Sequence, residues 1–101
     1  MKTVFISGPY SLGDPVVNSR KAIIMAEKLS KHGFSSYIPH LNLFRHFLFP
    51  HDIDFWYQDD IIWLKKCDYI IRLPGKSRGA DEEERWAKEW KIESIKIEEI
   101  Q

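Results

Sequence analysis

The sequence predicts an α/β fold: a small Rossmann-like three-layer sandwich with a mainly parallel sheet of about four strands and helices on both faces. Three observations carry this expectation. Short apolar runs alternate along the chain with longer segments of helical period. The first three runs close on proline or glycine, at Gly8-Pro9, Pro39 and Pro74-Gly75. Parallel strands need long crossover connections, and the helical segments supply them.

The elements follow in order. Val4-Phe5-Ile6 reads as a buried strand ending in the turn Ser7-Gly8-Pro9-Tyr10-Ser11. Asp14-Pro15 is a helix cap with proline at the first helical position. Ala22, Met25, Ala26 and Leu29 then recur at helical spacing until Gly33 stops the helix. Ser36 to His40 is the second strand. Leu41 to Asp54 is rich in aromatics, is broken by Pro50, and has no clear period. Ile53 to Lys66 is helical in period. Asp68 to Leu73 is the third strand, Ala80 to Trp90 the next helix, and Ser94 to Ile100 a last strand with Ile95, Ile97 and Ile100 inward.

The 101 residues suit one domain, 1–101, able to form a core without metals or disulfides. Fifteen basic and fifteen acidic residues cancel, which argues against binding polymeric nucleic acid. The halves differ, however. Residues 1–50 hold six Lys/Arg and two Asp/Glu, whereas residues 51–101 hold nine and thirteen. Carboxylate chemistry is therefore expected in the second half. No apolar run is long enough to span a membrane, and the single cysteine, Cys67, points to a reducing, cytoplasmic setting. His32, His40, His46 and His51 match no common zinc spacing, so no metal is expected.

In parallel sheets ligands bind beyond the carboxyl ends of the strands. Ser7 to Ser11 and Pro74 to Gly79 both leave strand ends, so both belong on that rim. A helical wheel adds two acids. Glu83 sits in the middle of the arc formed by Ala80, Trp86, Ala87 and Trp90. Asp60 sits inside the arc of Ile53, Trp56, Tyr57, Trp63 and Leu64, with Asp59 at its edge. A carboxylate facing a core is costly unless it is paired, protonated or functional.

These residues together resemble the nucleoside 2-deoxyribosyltransferase superfamily. The resemblance rests on Phe5-Ile6-Ser7-Gly8-Pro9-Tyr10-Ser11, on Asp60 and Asp68 eight apart, and on Ser77-Arg78-Gly79 leading to Glu83. It is nearest to the small branch of nucleoside 5′-monophosphate N-glycosidases, and it covers nearly the whole chain. The resemblance implies hydrolysis of a sugar–base bond in a nucleoside 5′-monophosphate, without cofactor, by a homodimer or higher homo-oligomer. Glu83 would be the nucleophile and Asp60 its catalytic companion. Gly8, Pro9, Tyr10 and Ser11 would line the sugar and phosphate, with Ser77 and Gly79 at the phosphate. The transferase branch places an aspartate where Ser77 stands, so Ser77 favours nucleotides over nucleosides. The first-strand tyrosine of some members is Phe5 here, and Tyr10 is expected to supply the hydroxyl instead. Base exchange by a transferase and a non-catalytic nucleotide-binding module are the alternative readings.

Overall fold

The computed structural model describes residues 1–101. The elements are β1 (Thr3–Ser7), α1 (Pro15–Lys31), β2 (Ser35–Tyr37), α2 (Asn42–Leu48), α3 (Ile53–Lys66), β3 (Tyr69–Arg72), α4 (Arg78–Glu89) and β4 (Glu93–Ile95). All strand pairings are parallel, and the sheet order is β2-β1-β3-β4. The predicted α/β class and strand count both hold.

Strand parity divides the core into two layers. Val4, Ile6, Ile71 and Leu73 point to one face and meet Ala22, Met25, Ala26 and Leu29 of α1. Phe5 and Ile70 point to the other and meet Leu64 of α3 and Ala87 of α4. Ser7 lies two residues beyond Phe5, so it shares the α3–α4 face. Because β1 separates β2 from β3, the chain leaves β1 and β3 on either side of a switch in strand order. That switch opens a crevice at the carboxyl ends of β1 and β3.

The caps explain where helices begin and end. Asp14 accepts from the Val16 amide at 2.9 Å, and Ser77 accepts from the Ala80 amide at 3.1 Å. Gly33 adopts φ +85° after α1, while the Phe34 amide returns to the Leu29 carbonyl.

Three expectations need correction, and one unassigned stretch takes a definite form. The second strand ends at Tyr37, because Pro39 removes a ladder donor and starts a 3-10 turn over Pro39–Leu41. Residues 42–48, without clear period, form α2, whose residues are nowhere fully buried. The last strand stops at Ile95; Ile97–Glu99 is a 3-10 turn that brings Ile100 into the core. The predicted apolar arc of α3 is only partly covered. Leu64 is buried, but Ile53 is 62% exposed and Trp63 is 44% exposed. A four-stranded sheet is too narrow to cover the whole of α3. Trp63 instead stacks on Tyr37 at 5.3 Å, and Tyr37 stacks on Phe5 at 5.5 Å. No helix is long and apolar enough to cross a membrane.

Candidate active site

The wheel of α4 places Ala80, Glu83 and Ala87 on one stripe, and all three are buried. Ala80 and Ala87 are small enough to bring α4 close to the sheet. Glu83, between them, is thereby carried to the carboxyl end of β1. Only 6% of the residue remains exposed. Ser7 Oγ, fully buried, donates to Glu83 Oε1 at 2.7 Å. Burial pushes the Glu83 carboxyl up to about 7, although the Ser7 hydrogen bond and the Arg72 charge pull it back.

Asp60, on α3, lies close enough to Glu83 for their charges to interact. Its Oδ1 is buried and has no hydrogen-bond partner. Burial raises the Asp60 carboxyl to about 8, helped by the charges of Glu83 and Asp59. The two acids titrate as a pair rather than independently. The Ser7 hydrogen bond favours the ionised form of Glu83, whereas Asp60 Oδ1, with no donor, favours the protonated form of Asp60. One site thus holds both an anionic and an acidic carboxyl.

Arg72, the last residue of β3, is the cation whose charge acts on Glu83, but its own hydrogen bonds lie elsewhere. Its guanidinium binds Asp81 at 2.8 Å, Glu84 at 2.9 Å, and the carbonyl oxygens of Gly75 and Leu73. Those bonds tie β3, the Pro74–Ser77 loop and α4 together. They leave Glu83 with Ser7 as its hydrogen-bond donor.

The two rim loops pack tightly. A β-carbon at Gly8 would come within 2.8 Å of Leu73 Cβ, and one at Gly75 within 2.8 Å of Pro9 Cγ. Gly75 also adopts φ +118°. Gly8 and Pro9 therefore sit beside the loop after β3, as predicted for a shared rim. Ser11 lies in the exposed bend that follows. Ser77 caps α4, and Gly79 lies against Tyr57 of α3.

Ser7 and His40 carry roles that local sequence patterns do not show. The hydroxyl at Glu83 comes from Ser7, while the Tyr10 ring packs edge-on to His40. Parity was the signal for Ser7, since it falls on Phe5's face. His40 is buried, and its Nε2–H donates to the Pro9 carbonyl at 3.0 Å, which pins the first rim loop. Burial lowers its pKa, so the ring stays neutral. His46 serves the α2–α3 corner, accepting from Trp56 Nε1–H at 2.9 Å. No three His, Cys, Asp or Glu side chains converge in a way that would hold a metal ion.

A hollow of about 260 Å³ flanks the same rim on the α1 side, lined by Pro9, Leu73 and Pro74 with Asn18, Lys21 and Lys28. Glu83 and Asp60 do not line it. Comparison of the chain with protein-family models and with curated proteins finds no match.

Proposed function

We propose that the chain hydrolyses the N-glycosidic bond of a nucleoside 5′-monophosphate, releasing free base and sugar 5-phosphate. One observation carries the reading: a buried carboxylate with one oxygen held by Ser7 is coupled in charge to a second buried carboxyl, Asp60, whose Oδ1 has no partner and whose hold on its proton burial strengthens. Cleaving a sugar–base bond builds positive charge on the sugar carbon and negative charge on the base. An anion and an acid answer those two demands.

In the first step the free oxygen of Glu83 bonds to C1′ as the C1′–N bond breaks. The bond's electron pair goes to the base, which takes the Asp60 proton. In the second step water attacks C1′ and gives a proton to Asp60, while Glu83 leaves as carboxylate. Atoms and charge balance with water as the sole co-substrate and no cofactor. The phosphate would lie at the N-terminus of α4, where first-turn amides lack helical partners and the helix dipole is positive. Ser77, which uses its oxygen as the cap, keeps its O–H to donate to that phosphate.

The reading extends to membership of the nucleoside 2-deoxyribosyltransferase superfamily, a cytoplasmic setting, and assembly as a homodimer. Exposed Phe44, Phe47, Leu48 and Phe49 on and after α2 support the last point. A mass that stays monomeric at all concentrations in sedimentation would count against it. The activity is tested by chromatography of nucleoside monophosphates incubated with the protein and with Glu83→Ala. Base release by the wild type and its loss in the variant are expected. Base release that is undiminished in Glu83→Ala removes Glu83 from the chemistry. Base exchange in the presence of an acceptor base would point to the transferase instead.

A further inference from the structure

We propose that Ser7 is a positioning residue for Glu83: its hydroxyl holds one carboxylate oxygen in the core and leaves the other to meet the sugar. The proposal rests on the reading of Glu83 as nucleophile.

The hydroxyl is unusually well constrained. Ser7 is the last residue of β1 and fully buried, so no water competes for its proton. Its backbone is fixed by register with Arg72 and by the Leu73 amide, which donates to the Ser7 carbonyl at 2.7 Å. The next residue, Gly8, is pressed against Leu73 without room for a β-carbon. A serine so held has one place to send its proton, and Glu83 Oε1 is there at 2.7 Å. That length is ordinary for a well-formed O–H···O hydrogen bond.

The bond does two things at once. It fixes the rotation of the carboxylate, so that one oxygen is committed and the other is not. It also opposes the cost of burying the charge. The other groups acting on this carboxylate come from different elements. Arg72 of β3 attracts it from a distance while bonded to other partners, and Asp60 of α3 is coupled to it in charge. Neither donates a hydrogen bond to it. Positioning therefore falls to Ser7. Its position in sequence, 76 residues before Glu83, hides the relationship from any local pattern.

Ser7→Ala and Ser7→Thr test this, the second keeping a hydroxyl. Removing a hydrogen bond to a charged group should lower kcat roughly 10- to 100-fold. KM should stay within about twofold, because the bond orients the nucleophile rather than the substrate. The acidic limb of the rate profile should move to higher pH in Ser7→Ala and return in Ser7→Thr. A second readout needs no turnover: NMR titration of the ¹³C-labelled Glu83 carboxyl in wild type and Ser7→Ala. A higher midpoint in the variant supports the proposal; an unchanged midpoint overturns it, as does a KM rise with kcat intact. Base release by the wild type tests the Glu83 reading separately. Without release that reading falls, while the titration still decides whether Ser7 holds Glu83.

Discussion

Tyr57 of α3 rests against the backbone of Gly79 in the first turn of α4. A β-carbon on residue 79 would come within 3.2 Å of the Tyr57 hydroxyl oxygen and 3.3 Å of its Cε1. The absent side chain is what lets α3 close over the loop that carries Ser77. Gly79→Ala should therefore lower stability by ~1 kcal/mol in urea unfolding, through crowding. In a Tyr57→Ala background the same change should raise stability by about 0.5–1 kcal/mol, because alanine is the better helix former. Equal effects in both backgrounds would show that the two residues are uncoupled.

Stability should fall as pH rises from about 6.5 to 8. Folding raises the Glu83 carboxyl to about 7 and the Asp60 carboxyl to about 8. The folded chain thus holds protons that the unfolded chain has already lost, and ionisation removes that advantage. For each carboxyl the slope reaches roughly 1.4 kcal/mol per pH unit between its unfolded and folded pKa and fades above the latter, so this window holds the last part of a loss that begins near the ordinary carboxyl pKa. His40, lowered by burial, has the opposite sign but contributes only below its ordinary pKa of about 6.5. Denaturant unfolding at both pH values should show a smaller loss in Glu83→Gln with Asp60→Asn than in wild type.

The rate should depend on pH as a narrow bell. The first ionisation of the Glu83–Asp60 pair, near 7, opens the acidic side, and the second, near 8, closes the alkaline side. Asp60→Asn should cut kcat on the order of 100-fold and abolish the alkaline limb. An alkaline limb that survives unchanged would assign it to another group.

Ser77 has a structural and a functional role that one variant can separate. Ser77→Ala removes the cap on α4, a loss of ~1 kcal/mol. On the reading proposed here it should also shrink the preference for a nucleoside monophosphate over its nucleoside. Stability measured by unfolding and the ratio of kcat/KM values for the two substrates report the two effects. A stability loss with an unchanged ratio would leave Ser77 as a cap alone.

After α4 the chain reverses through Lys91 at φ 58°, with the Ile92 amide donating to the Ala87 carbonyl. Glycine usually fills this position, since a β-carbon is strained there. Lys91→Gly should stabilise the protein by up to about 1 kcal/mol in thermal or urea unfolding. No change would mean that the lysine side chain offsets its backbone strain.

Periodicity and end signals were enough to assign the α/β class, the buried first strand, the Asp14 cap, and Glu83 as a core-facing acid. These are local properties. The wheel needs only residues 80–90, and a cap needs only its own first turn. The wheel was less informative for α3, because apolar residues on a helix face are buried only as far as the sheet extends beneath them. It placed Ile53 inward, whereas the fold leaves Ile53 exposed. The aromatic stretch 42–48 gave no period for a related reason: α2 is short and has no buried stripe to generate one.

What the sequence by itself determined is which side each strand and helix residue presents, since side-chain direction follows from the backbone repeat. What only the tertiary structure decided is which presented groups meet. Parity put Ser7 on the α3–α4 face, but its contact with Glu83 required the order β2-β1-β3-β4 and the close approach of α4 through Ala80 and Ala87. The same assembly left Asp60 Oδ1 without a partner and drew its carboxyl into the range of Glu83. Hydrogen bonds and charge coupling act across a few ångströms of space, and the sheet joins segments far apart along the chain.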